Sequence, residues 1–146
     1  MYSIKQGELK DIAIIEAQIP EFSSPKKLVD IRERLAQSHF LLLISFYHDE
    51  PIGYKLGYAL SDDIFYSWLG AVLPAHRGHG LAQKMLNAQE AWVKQHHYQR
   101  IQVKTMNRFR AMLSMLIKNN YHIIDIEKAI SSLDVKIRFE KALEYK

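Results

Sequence analysis

The strongest constraint on the fold is a change of hydrophobic period near residue 80. Between residues 40 and 73 three runs in succession read as strands. FLLLISFY (40–47) is a continuous apolar run of strand length. IGYKLGYAL (52–60) alternates. Ile52, Tyr54, Leu56, Tyr58 and Leu60 share one face, with small or charged residues on the other, which is the pattern of a half-buried strand. IFYSWLGAVL (64–73) is the third. HDEP and SDD between them are turn sequences, so the three predict an antiparallel meander. After Gly80 the period becomes helical: Leu81, Met85, Trp92 and Val93 share a face up to about His96. A strand, RIQVKT, follows at 100–105. Strand, helix and strand in that order predict a crossover and a local parallel pair.

The flanks complete the pattern. Ile12, Ile14 and Ile15 predict a helix over 8–18, and Leu28, Ile31 and Leu35 predict another over 26–37, separated by PEFSSP. From Asn107, a plausible N-cap, a further helix carries Phe109, Met112, Leu113, Leu116 and Ile117. YHIIDI and VKIRFEKAL close the chain as strands, with Val135, Ile137 and Phe139 alternating against Lys136, Arg138 and Glu140. The order is β-α-α-β-β-β-α-β-α-β-β. That is an α+β domain with a mixed central sheet, an antiparallel N-terminal meander, one parallel pair and about four helices. No linker, repeat or low-complexity segment divides residues 1–146, so a single domain is expected.

Composition excludes several functional classes. The chain is 48% apolar and 25% charged, as in an ordinary globular protein that is not held in a membrane. It has no cysteine, which rules out disulfides, a thiolate nucleophile and zinc–thiolate sites and suits a reducing cytoplasm. No N-terminal segment reads as a signal peptide, and the longest apolar run falls far short of the ~20 residues of a membrane helix. The net charge of +4 suits an anionic ligand. Its lysines and arginines are scattered, which argues against a nucleic-acid partner. Of seven histidines, His76 and His79 are three apart and His96 and His97 adjacent. Neither pair comes with a third ligand, so no metal is expected.

Residues 76–86, HRGHGLAQKML, place two glycines at the head of the helix. There is no Walker A run. The dinucleotide fingerprint also fails, because Gln83 stands where its third glycine belongs. What remains is Arg77-x-x-Gly80-x-Ala82 directly after a strand. Unpaired N–H groups of a first helical turn carry partial positive charge. Glycine lets an anion approach them, Ala82 keeps the turn narrow, and Arg77 adds a forked cation, an arrangement suited to a pyrophosphate. A strand-to-helix turn beside a surface arginine needs the same residues and no ligand.

LGAVLPAHRGHGLAQKMLNAQEAW resembles the acetyl-CoA-binding motif of the GNAT (GCN5-related N-acetyltransferase) family. Val72, Pro74, Arg77, Gly80 and Ala82 stand at the motif positions. MNRFRAMLSMLIKNNYHI is similar to that family's Asn-led fourth helix, and the order of elements fits over nearly the whole chain. The resemblance implies an N-acetyltransferase that uses acetyl-CoA as co-substrate. It implies direct attack by an amine in a ternary complex, with no acyl-enzyme. The expected cofactor contacts are Ala71, Val72, Arg77, Gly78, His79, Gly80, Leu81, Ala82 and Asn107. The backbone at Ala71 and Val72 would pair with the pantetheine arm, an N–H near Val72 would polarise the thioester carbonyl, and His79 would offer a backbone amide to the phosphates. The acceptor is a small-molecule or peptide amine, and a monomer or homodimer is expected.

Catalytic side chains are not assigned by the sequence. Residues 65–73 contain no Asp or Glu, which leaves Asp62, Asp63 and Glu50 in the neighbouring turns as proton-relay candidates. They are also ordinary turn residues. An acidic pocket around Asp62 and Asp63 would favour a cationic acceptor. Counting back four from Asn120-Tyr121, the position where relatives often carry a general-acid tyrosine is Leu116, which has no proton to give. Tyr121 is the nearby alternative. Tyr54, Tyr58, Tyr66 and Trp68 read as core residues, some of which could shape an acceptor pocket. The missing acid and base also motivate a rival reading, a non-catalytic acyl-CoA-binding module.

Overall fold

The structure, a computed structural model, describes residues 1–19, 28–128 and 134–143. The elements are β1 (Tyr2–Gln6), α1 (Leu9–Glu16), α2 (Leu28–Leu35), β2 (Phe40–Tyr47), β3 (Glu50–Ala59), β4 (Ile64–Val72), α3 (Leu81–Gln95), β5 (Arg100–Met106), α4 (Arg110–Lys118), β6 (His122–Lys128) and β7 (Val135–Ala142). A single turn of 3-10 helix at Pro74–His76 joins β4 to α3. The order of elements is the one read from the sequence.

The strands form one seven-stranded sheet in the order β1-β2-β3-β4-β5-β7-β6. The first four are antiparallel neighbours, and β4 pairs with β5 in parallel through the α3 crossover. Beyond that pair a second strand–helix–strand unit, β5-α4-β6, does not make adjacent strands. β7 enters between them, antiparallel to both.

Two apolar layers cover the sheet. Ile12 and Ile15 of α1 and Ile31 and Leu35 of α2 pack on Ile52, Tyr54, Leu56, Tyr58 and Tyr66. Leu86 and Val93 of α3 and Leu116 of α4 pack on Leu41, Leu43, Phe65, Ile101, Val103 and Phe139. Local pattern and burial disagree in places. Ile14 points away from the core at 47% exposure, since Ile12 and Ile15 already span the contact stripe of a short helix. Leu60 lies beyond the end of β3 and is exposed.

The larger correction concerns β3, which is buried on both faces rather than half-buried. Its second face is Gly53, Lys55 and Gly57, and α3 lies across it. A Cβ at Gly53 would stand 3.6 Å from Met85 Cε, and one at Gly57 would stand 3.0 Å from Gln89 Nε2. Small residues on that face mark the close approach of a helix, not a solvent face.

Candidate functional site

The site begins with a fault in the sheet. β3 and β4 are in register from Gly53↔Val72 to Leu56↔Leu69, but the next pair is Gly57↔Ser67. Trp68 is an extra residue, a β-bulge that bends β4. On its other edge β4 pairs with β5 only from Ile64↔Arg100 to Ser67↔Val103. From Trp68 to Val72 it has no β5 partner, while β5 continues along β7 to Met106. The two parallel strands therefore part at Ser67, and their backbone edges face a widening gap.

That gap opens toward the head of α3. Gly78 and Gly80 have φ of +83° and +75°, the left-handed region in which glycine carries no steric penalty, and a Cβ at either would meet nothing within 4 Å. The glycines are thus required by backbone conformation, and the space beside them is open. Gly80 is the N-cap of the 15-residue helix α3, with no side-chain cap bond and no acidic residue in the first turn. The N–H groups of Leu81, Ala82 and Gln83 lie in that first turn, where an intrahelical acceptor is lacking. An anion there gains both the hydrogen bonds and the helix dipole.

The expected cofactor residues come together at this one end of the sheet. Ala71 and Val72 end β4 along the gap, Arg77 to Ala82 follow, and Asn107 leaves the parallel β5 at the same end. Two details add to the expectation, and a third corrects the reading of Asn107 as a helix cap. Arg77 Nε donates to the Val72 carbonyl at 2.9 Å, which ties the loop back to its own strand. The His79 ring packs on Tyr2, 5.4 Å between centroids, in a group where the Tyr2 hydroxyl and His76 Nδ1 are 2.9 Å apart. Asn107 does not cap α4: the helix starts at Arg110 with Phe109 as N-cap, and Asn107 is an exposed residue whose N–H bonds the Val135 carbonyl.

The proton-transfer candidates fare differently. Asp62 and Asp63 lie at the start of β4, a full strand away from the glycine loop. The Asp63 carbonyl there accepts from the N–H groups of Gln99 and Arg100. Glu50 opposes Tyr47 in the β2–β3 hairpin. Leu116 is a core residue at 1% exposure. Tyr121 is also buried, and its hydroxyl donates to Glu90 Oε2 at 2.8 Å. Burial, with the Glu90 carboxylate beside it, raises the Tyr121 phenol far above its ordinary pKa, so it holds its proton.

Two buried ionisable groups were not singled out by the sequence. Glu16, at the end of α1, is buried and accepts a short hydrogen bond from the Tyr54 hydroxyl. Tyr54 opposes Ala71 in the β3–β4 register, so this carboxylate lies on the α1–α2 side of β4. The available signal was its spacing of four from Ile12, on the buried stripe of α1. Lys55 faces the α3 layer opposite Gly70 of β4. Burial lowers its pKa to about 8, with the Glu90 carboxylate opposing that shift. Its position between Gly53 and Gly57, on the face that α3 closely covers, was the clue.

The α1–α2 side of β4 near the bulge is aromatic. Tyr58 lies 5.6 Å from both Tyr66 and Trp68, edge to face. Arg34 of α2 covers Trp68 with its guanidinium 5.1 Å from the ring and donates from Nε to the Tyr58 hydroxyl at 2.8 Å. No helix among the described residues is long and apolar enough to cross a membrane.

Comparison with solved structures finds the same architecture in known acetyltransferases. The ribosomal-protein-S18-alanine N-acetyltransferase of Escherichia coli superposes with a TM-score of 0.86 at 12% identity, over 100% of this chain and 96% of that one. An N-acetyltransferase from Staphylococcus aureus Mu50 gives 0.82 at 13%, over 99% of each chain. A GNAT family acetyltransferase from Elizabethkingia anophelis, solved with acetyl-CoA bound, gives 0.76 at 18%, over 97% and 98%. At such identities these likenesses carry the fold alone. No curated protein matches in sequence. The sequence model of the acetyltransferase (GNAT) family, however, matches residues 9–116, which include the bulged strand, the glycine loop and α3. With that match over most of its length, the chain belongs to the GNAT acetyltransferase family.

Proposed function

We propose that the protein transfers an acetyl group from acetyl-CoA to an amine, by direct attack of the amine in a ternary complex. The observation that carries this reading is the parting of β4 from β5 at Ser67/Val103, in line with the uncapped head of α3. The residues present fit the co-substrate. The first-turn amides of α3 and the open backbone at Gly78 and Gly80 would hold its diphosphate. The stretch from Trp68 to Val72 offers about 17 Å of strand edge, enough to pair with an extended pantetheine arm. When bound, acetyl-CoA supplies the acetyl group as a thioester.

The chain's own groups then have defined tasks. Backbone N–H groups along Trp68 to Val72 stabilise negative charge on the carbonyl oxygen under attack. Glu16, held by Tyr54 on the α1–α2 side, accepts the proton that the attacking amine must lose. No side chain is assigned to protonate the leaving thiolate, because Leu116 is apolar and Tyr121 is committed to Glu90. A thiol pKa near 8.5 makes the thiolate an adequate leaving group near neutral pH.

Calorimetric titration with CoA, followed by thiol release from acetyl-CoA with a panel of amines, tests both halves. Tight CoA binding with turnover supports the reading. The core position of Leu116 keeps one alternative in play, an acyl-CoA-binding module. Binding without thiol release across a broad panel would establish that instead.

A further inference from the structure

We propose that the acceptor carries a carboxylate close to its amine, and that Arg34, Lys104 and Arg138 hold this carboxylate around Tyr66, where β4 and β5 part. This rests on the acyl-transfer reading above and specifies its substrate class.

Tyr66 pairs with Gln102 one residue before the last β4–β5 contact, and it is 8% exposed. Three cations from three different elements converge on it. Arg34 comes from α2, fixed by its Nε bond to Tyr58 and its stacking on Trp68. That bond uses one of five guanidinium N–H donors, so the fork retains donors for a planar anion. Lys104 of β5 places Nζ 5.9 Å from the Tyr66 ring centre. Arg138 of β7 is the register partner of Lys104. Arg34 and Arg138 both favour the ionised form of the Tyr66 hydroxyl. Desolvation and Tyr58 outweigh them, and the phenol remains protonated as a hydrogen-bond donor.

The nearby acids offset this charge only in part. Glu140 accepts from Gln102 Nε2 at 2.9 Å and pairs with Arg100 at 3.6 Å. Asp125 and Glu127 of β6 stand directly opposite Arg138 and Lys136 and line one groove with them and Lys104, three cations against two acids, so with Arg34 the balance stays positive. Asp62 and Asp63, which would have favoured a cationic acceptor, belong to the turn before β4. A polyamine entering between Arg34 and Lys104 meets like charge. A small amino acid instead places its carboxylate among these cations, and its amine lies within a few bonds of the bulge. Tyr58, Tyr66 and Trp68 give its side chain an apolar wall.

The test compares each acceptor with its uncharged twin, using thiol release from acetyl-CoA. A panel of α-amino acids should exceed the matching amino-acid amides by about tenfold or more in kcat/KM for the best acceptors. Aminoalkylphosphonates test whether another anion substitutes, and spermidine tests a cationic acceptor. Arg34→Gln and Arg138→Gln should raise KM for the acid toward that of the amide, leaving CoA affinity and melting temperature near wild type. Amides acetylated as well as acids, or spermidine preferred, would overturn the proposal. If CoA binds and no amine is turned over, the acyl-transfer reading fails separately. Titration of N-acetyl amino acids against their amides into the CoA complex then still decides the anion site, equal affinity counting against it.

Discussion

Tyr54 donates its phenolic hydrogen to the buried carboxylate of Glu16, which joins the end of α1 to the strand position opposite Ala71. A carboxylate taken out of water needs such donors. Burial and the Glu16 hydrogen bond raise the Tyr54 phenol far above its ordinary pKa, so the tyrosine remains a donor throughout the working range. Tyr54→Phe is expected to lower stability by about 1–3 kcal/mol, read as a fall in melting temperature. Glu16→Gln keeps the shape and removes the base. It should retain CoA affinity in calorimetry while thiol release with any accepted amine drops by about a hundredfold. Full activity in that variant would remove Glu16 from the mechanism.

Gly80 holds φ at +75° with open space where a side chain would begin. Gly80→Ala should cost about 1–2 kcal/mol through backbone strain and weaken CoA binding modestly. Gly80→Asp adds a negative charge at the amides that await an anion, and it should abolish measurable CoA affinity in a protein that still shows a cooperative melt. Normal CoA binding by the Gly80→Asp variant would place the diphosphate elsewhere.

Leu116 stands where the family resemblance implied an acid, yet it is packed among Phe65, Val93, Val103 and Phe139 in the α3–α4 layer. Leu116→Tyr therefore adds a ring and a hydroxyl to a filled core. The expected result is a loss of about 1–3 kcal/mol and no gain in turnover. A stable variant with faster thiol release would show instead that protonation of the thiolate limits the wild-type rate.

Lys55 gives a pH signature. Its pKa is lowered to about 8 in the fold, against an ordinary value of 10.5. Between these values the unfolded chain binds more protons, so this residue makes stability rise as pH increases from about 8 to 10.5. Each unit of difference corresponds to about 1.4 kcal/mol. Lys55→Met should be more stable than wild type at pH 7, and the advantage should shrink as pH rises. Parallel stability curves for the two proteins between pH 7 and 10 would contradict the burial of this ammonium.

The elements and their order were legible in the sequence, because period, turn residues and crossover handedness are local or nearest-neighbour properties. The switch from alternation in β3 to a helical repeat after Gly80 located the strand-to-helix junction at the head of α3. The glycines at 78 and 80 were legible for the same reason: positive φ is a demand of one residue on its own backbone. Tertiary structure decided the rest. Whether β4 stays with β5 depends on the Trp68 bulge, a register fault visible only against β3. The second burial face of β3, the insertion of β7 between β5 and β6, and the loss of Asn107 as a helix cap each depend on a partner distant in the chain. Glu16 and Tyr54 are 38 residues apart, and Arg34, Lys104 and Arg138 come from separate elements. Charge and burial act through space, and no periodicity in a single segment records which segments will meet.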